Sequence, residues 1–163
     1  MKLVICAVGR LKAGPERDLA ERYLKRIAEL APKLGLSVPS LIELPESRAR
    51  DEMTRRRQEW GDLAARSEGA VRLALDERGA SQTSAAFANR LIGHRDAGAR
   101  ALAFLIGGAD GLAPEARQGT NQAANEVISF GAMTLPHQLV RIVLLEQIYR
   151  ALTIRLGHPY HRL

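Results

Sequence analysis

Leu3–Val8 is an unbroken apolar run at the start of a chain that then alternates, again and again, between helical period and short apolar segments. A strand with no polar positions is buried on both faces, and that happens almost only in a parallel sheet with helices on either side. The alternation supports the same architecture. Glu16–Leu34 has helical spacing, with Leu19, Tyr23, Ile27 and Leu30 on one stripe and Pro15 near its start. Leu36–Leu44 reads as a second strand, made an edge or irregular one by Pro39. Ser47–Ser67 is a very polar helix, Ala70–Leu75 a third strand, and Ser81–Leu91 a helix capped by Ser81 or Thr83. Arg100–Ile106 and Glu126–Phe130 supply two more strands. Pro136 opens a long last helix that Gly157 ends near Leu156. The expectation is an α/β fold with a mostly parallel sheet in one domain spanning residues 1–163.

The chemistry concentrates in the last third. Phe104-Leu105-Ile106 runs into Gly107-Gly108-Ala109-Asp110-Gly111, and glycine pairs after a strand mark close backbone approach. A second loop, Phe130–Leu135, precedes the last helix, and a polar aromatic tail, His158-Pro159-Tyr160-His161-Arg162, follows it. Two loops and a tail have the form of a ligand site with a lid. The formal charge is +6, carried mainly by arginine, since only Lys2, Lys12, Lys25 and Lys33 are lysines. Arginine's planar fork binds phosphate bidentately, so a polyanionic partner is expected. The lone Cys6 lies in an apolar run and is read as a core residue suited to a reducing cytoplasm. No apolar run is long enough for a signal peptide or a membrane span.

Common catalytic motifs do not fit. Gly9–Gly14 has phosphate-loop spacing, but Pro15 stands where the lysine belongs. His94, read as a surface loop residue, His137, His158 and His161 have no metal-ligand spacing, and there is no nucleophile elbow. Metal is therefore not expected. Arg55-Arg56-Arg57 reads as a solvated helix face and Trp60 as core. The last helix is apolar on nearly every side, which implies a second covering beyond its own sheet, most simply another copy of the chain. Within it Glu146 and Arg150 lie four residues apart. They form either an intrahelical ion pair or a polar pair lining a site.

Taken together, Val8-Gly9-Arg10-Leu11-Lys12, Leu75-Asp76, the Gly107-Gly108-x-x-Gly111 loop, Phe130–His137, Glu146-Gln147-x-Tyr149-Arg150-Ala151 and the tail resemble the ribosomal RNA large subunit methyltransferase H family, over the whole chain. The resemblance implies a SPOUT methyltransferase fold ending in a trefoil knot, with the cofactor-binding knot at approximately 70–157 and a C-terminal tail at 158–163. It implies a cytoplasmic homodimer that binds S-adenosylmethionine and methylates N3 of a pseudouridine in helix 69 of 23S ribosomal RNA on the assembled ribosome. Carried over by position, cofactor contacts fall on Leu75, Gly107, Phe130, Gly131, Ala132, Met133, Thr134 and Leu135. Many relatives carry Ser-Lys or similar residues where this chain has Gly131-Ala132, which removes any side-chain contact there. The family's composite site, in which one subunit's tail covers the other's cofactor, implies catalytic roles for Glu146, Arg150 and Tyr160. His158, His161 and Arg162 are the expected RNA contacts.

Overall fold

The computed structural model describes residues 1–117 and 123–161. Its strands are β1 (Lys2–Val8), β2 (Ser40–Leu44), β3 (Val71–Ser81), β4 (Ala101–Ile106) and β5 (Glu126–Ser129), and its helices are α1 (Pro15–Leu30), α2 (Glu52–Arg66), α3 (Ser84–Asp96) and α4 (His137–Arg155). The strands form one sheet in the order β2-β1-β4-β3-β5, and every pairing is parallel. The α/β expectation is met, and the apolar runs occupy the sheet centre: Leu3, Ile5, Cys6, Val8, Leu102, Phe104 and Leu105 are all buried.

Two apolar cores sandwich the sheet. One unites Leu3, Ile5, Phe104 and Leu73 with Ile27, Phe87, Leu91, Leu144, Ile148 and Leu152, so α1, α3 and α4 cover that face. The other places Cys6, Val8, Ala74 and Leu105 under Trp60 and Leu63 of α2. Cys6 is a core residue, as expected, and burial pushes its thiol up to about 11.

Several boundaries differ from the sequence reading for local reasons. Helix α1 stops at Leu30, because Pro32 tightens the next turn to a 3-10 helix that Gly35 closes. Strand β2 begins only at Ser40, past Pro39. Helix α2 starts at Glu52 rather than Ser47, because Asp51 caps it by accepting from the Thr54 N–H at 2.7 Å. Thr83, not Ser81, caps α3, and Ser81 belongs to β3. Strand β3 does not end at Leu75: its ladder with β5 breaks there and resumes at Ala80. His94 lies in the last turn of α3, half-buried beside Glu126, rather than in a loop.

Candidate active site

The carboxyl ends of β4, β3 and β5 lie side by side, and the loops rising from them enclose a cleft of about 570 Å3, a size suited to a small organic ligand. Ligands bind open parallel sheets at this edge because the chain turns away from it on diverging paths. Leu75, Ile106 and Ile128 form the strand-end floor. The first wall is the break in β3, where Asp76 accepts the Arg78 N–H at 2.9 Å and pairs with Arg117. The second is the glycine loop, closed by the Gly111 N–H donating to the Gly108 carbonyl at 3.0 Å, with Gly111 at φ +82°. The third is Phe130–Pro136, where the Ser129 hydroxyl bonds both the Gly131 N–H and its carbonyl. Thr134 donates to Glu77 at 2.6 Å and so ties the third wall to the first.

Leu75, Gly107, Phe130, Gly131, Met133, Thr134 and Leu135 all line this cleft. Ala132 stands exposed between them and does not line it, since the loop reaches the cleft through the residues on either side. The glycine pair marks close approach, as expected, and what it approaches is the protein itself. A Cβ on Gly107 would lie 3.0 Å from the Gly111 backbone, and one on Gly108 would lie 2.7 Å from Glu59 Oε2. Protein atoms already fill those spaces, so a side chain at either position would push on the Gly111 backbone or on the buried Glu59 carboxylate.

Charged residues that sequence reading passed over shape the cleft. The arginine triplet is a solvated face only in part: Arg57 is exposed, while Arg55 and Arg56 are half-buried. Arg55 pairs with Asp110 at 2.6 Å and Arg57 with Glu115 at 2.8 Å, which pins the glycine loop and its continuation to α2. Arg56 lines the cleft, as does Arg117. Beneath the loop, Glu59 is buried and accepts the Ser47 N–H at 3.0 Å, and its carboxyl is pushed up, chiefly by burial. Arg141, in the first half of α4, is only 2% exposed. Its guanidinium donates to the carbonyls of Val8 and Gly9 at 2.8 and 2.7 Å and to Glu43 at 2.9 Å. A basic residue amid the apolar positions of α4 was the available signal, but nothing in the sequence says which carbonyls it meets.

Glu146, Arg150 and Tyr160 come together, but away from the cleft. Arg150 donates to Glu146 at 2.9 and 2.5 Å, Gln147 donates to its other oxygen at 2.6 Å, and the Tyr160 hydroxyl donates at 3.2 Å. The Arg150 guanidinium sits 5.1 Å from the Tyr160 ring centre, and Tyr149 meets that ring edge-on at 4.7 Å. Tyr23 and Arg26 of α1 complete the cluster against Tyr149, at 6.2 and 5.7 Å. Burial and then a hydrogen bond with Tyr23 push the Tyr160 phenol up, and the Glu146 hydrogen bond holds Arg150 firmly charged. None of the three predicted catalytic residues lines the cleft. Helix α4 carries them away from it, since Arg150 lies thirteen residues past His137, about 20 Å along the axis. His158 is exposed and accepts the Tyr160 N–H at 3.2 Å, and His161 is half-buried. Arg162 lies outside the described residues.

Among the described residues, no three His, Cys, Asp or Glu are grouped to hold a metal ion, and no helix is long and apolar enough to cross a membrane.

Comparison with known proteins agrees with this layout along the whole chain. A family model described as a predicted SPOUT methyltransferase matches residues 1–161. A Rhodopseudomonas palustris (strain BisB18) protein named ribosomal RNA large subunit methyltransferase H is 53% identical over 99% of both chains. Proteins of the same name from Nitrobacter hamburgensis and Rhizobium meliloti are 53% and 51% identical, again over 99% of each chain. With a match of this extent behind a cleft at the carboxyl edge of a parallel sheet, the chain belongs to the SPOUT methyltransferase family.

Proposed function

We propose that the chain transfers a methyl group from S-adenosylmethionine to N3 of a pseudouridine in helix 69 of 23S ribosomal RNA, on the assembled ribosome. In this reading it acts in the cytoplasm as a homodimer, with the family's knotted C-terminal crossing. The observation that carries the proposal is the cleft, which suits a cofactor with one apolar and one zwitterionic end. Phe130, Met133 and Leu135 offer apolar surface to an adenine, and Met133 is 80% exposed at the mouth. Charged side chains also line the cleft: Asp76 and Arg117 pair with each other and Asp110 pairs with Arg55, while Glu77 and Arg78 stand outside those ion pairs and offer partners for an ammonium and a carboxylate. The relatives' name supplies the substrate class, ribosomal RNA.

S-adenosylmethionine would supply an electrophilic sulfonium methyl held in line by the cleft walls. The chain must then present a nucleophile and deal with one proton. N3 is an imide, and if its acidity lies two pH units above neutral, forming the anion costs about 3 kcal/mol. Arg150 is the group suited to stabilise that anion, because it stays charged. Glu146 already accepts hydrogen bonds from Arg150, Gln147 and Tyr160, which makes it an orienting group for the guanidinium. Tyr160 keeps its proton, so it serves as a donor or a stacking surface and not as the base. Methyl transfer would form the N–C bond and break the S–C bond, releasing neutral S-adenosylhomocysteine, and the N3 proton would pass to solvent, with Arg150 and Glu146 holding the charge and the orientation at N3. Because this cluster lies far from its own cleft, it acts on the cofactor held by a second copy.

The test is methyl transfer from radiolabelled S-adenosylmethionine to ribosomes lacking the modification, with 23S fragments mapped by mass. Label on the helix 69 pseudouridine is the expected result. Label on transfer RNA alone, or none despite cofactor binding, would overturn the substrate assignment.

A further inference from the structure

A second cavity opens beside the first, at the carboxyl ends of β1 and β2, lined by Gly9, Arg10, Pro45, Glu46, Ser47 and Arg48. The two are neighbours through His137, which lines the cleft, while its Nε2 lies 2.9 Å from where a Cβ on Gly9 would stand. We infer that this groove, through Arg10 and Arg48, grips the sugar–phosphate backbone of the substrate RNA next to the nucleotide presented to the cleft. The inference rests on the RNA substrate proposed above.

Both arginines are exposed, and neither forms an ion pair among the described residues. Exposure alone would make them ordinary surface charge. Their backbones, however, are held in place on either side. Before Arg10, the Gly9 N–H donates to Leu44 at 2.8 Å and the Gly9 carbonyl accepts from buried Arg141. After it, the Leu11 N–H donates to Glu43 at 2.7 Å, the same carboxylate that pairs with Arg141. Before Arg48, the Ser47 N–H is held by buried Glu59. After it, the Ala49 N–H donates to the Ser47 hydroxyl at 3.2 Å, and Arg55 holds the carbonyls of Ala49 and Arg50 at 3.1 and 2.9 Å. A buried charged residue thus anchors each loop, and each loop lifts one unpaired guanidinium into the same groove.

Glu46 is the opposing charge. Its Oε1 lies 3.2 Å from the Gly9 Cβ position, on the His137 side, so the negative end faces the wall shared with the cleft. Two free guanidinium groups against the one Glu46 carboxylate leave the groove cationic, and Arg141 behind Gly9 is offset by Glu43. Phosphate is the ligand such forks match, and phosphate contacts set a nucleic acid's register without reading its sequence. A target base needs this help, because methyl transfer tolerates little misplacement of the nucleophile.

The test compares an Arg10→Ala/Arg48→Ala double variant with an Arg22→Ala/Arg100→Ala double variant that removes the same charge from exposed sites elsewhere. The probe is unmethylated ribosomes, with binding measured across a salt series. The groove variant should lose about tenfold in affinity, and its log–log salt slope should flatten by about 1.5, the loss of two phosphate contacts. S-adenosylmethionine affinity by calorimetry should not change, whereas kcat/KM for ribosomes should fall at least about tenfold in the groove variant and stay near wild type in the other. Equal losses in both double variants, or an unchanged slope, would overturn the inference, as would a fall in cofactor affinity. Failure of the wild-type protein itself to bind or methylate ribosomes would instead remove the RNA substrate on which the inference stands.

Discussion

Gly79 shows how one missing side chain can hold the cleft open. A Cβ there would lie 2.6 Å from the backbone of Ile128, so the strand segment that crosses β5 after its break can only be glycine. Gly79→Ala should destabilise the protein by about 1–3 kcal/mol in urea denaturation and should weaken cofactor binding, because Asp76, Glu77 and Arg78 form a cleft wall just before it. An unchanged denaturation midpoint would show that β5 yields without cost. Two histidines carry a pH dependence. Burial first, then Arg90 beside His94 and Arg141 beside His137, hold both below the ordinary value of 6.5, with Glu46 partly offsetting this at His137. The folded state therefore disfavours their protonation while the unfolded chain accepts it. Their contribution is full above about 6.5 and falls as pH drops through that value. Urea midpoints should be lower at pH 5.5 than at pH 7.5, and His137→Gln should narrow the difference. The glycine pair and Thr83 were legible at this scale, because turns and caps are local. Glu59 and Arg141 were not, because a buried charge is recognised only by partners far away in sequence.

Helix α4 is where the sequence pattern and its packing differ most in meaning. Its all-round apolar surface is satisfied largely within the chain. Ile142, Leu144, Leu145, Ile148 and Leu152 are buried, and the helix lies between α1 and α3 against the sheet. A peripheral helix covers one stripe, whereas this one is clasped on several sides by its own domain, so its composition alone does not require a second copy. What remains open is the line through Leu139, Val143, Glu146 and Arg150, which is the same line that leads to Tyr160. The helix is fastened at its cleft end by Arg141, which reaches through the core to the end of β1. Arg141→Ala would leave the Val8 and Gly9 carbonyls and Glu43 without that donor, and should cost about 3–5 kcal/mol of stability by chemical denaturation. A loss under 1 kcal/mol would mean that water reaches these carbonyls at little cost.

For the whole molecule, the decisive fact is the separation between the cleft and the cluster of Glu146, Arg150 and Tyr160. The composite action proposed across a two-fold dimer makes a quantitative prediction. Gly107→Val should abolish cofactor binding, and deletion of residues 158–163 should stop methylation while sparing cofactor binding. Each variant alone should be inactive. After unfolding and refolding as an equal mixture, half of the dimers pair an intact cleft with an intact tail at one of their two sites, so activity should return to roughly a quarter of wild type. No recovery, from dimers shown to be mixed by light scattering and mass, would place tail and cleft in the same subunit. Circular dichroism of each variant beforehand separates a lost site from a lost fold.

What the sequence determined by itself was the class of fold, the order of its elements, the loops that build the cleft and the family. Each of these rests on local signals: apolar runs for doubly covered strands, glycines where backbone crowds backbone, and a tail of polar aromatics. The structure also brought Glu146, Arg150 and Tyr160 into one cluster, as the spacing of the pair allowed. Only the tertiary structure decided that Arg55 fastens the glycine loop and Arg57 its continuation, that Arg141 is a buried clamp, and that β3 breaks and resumes to form a wall. Those features depend on pairings between residues up to 133 positions apart. Such pairings exist only once the sheet has set its strand order, so no local pattern could announce them.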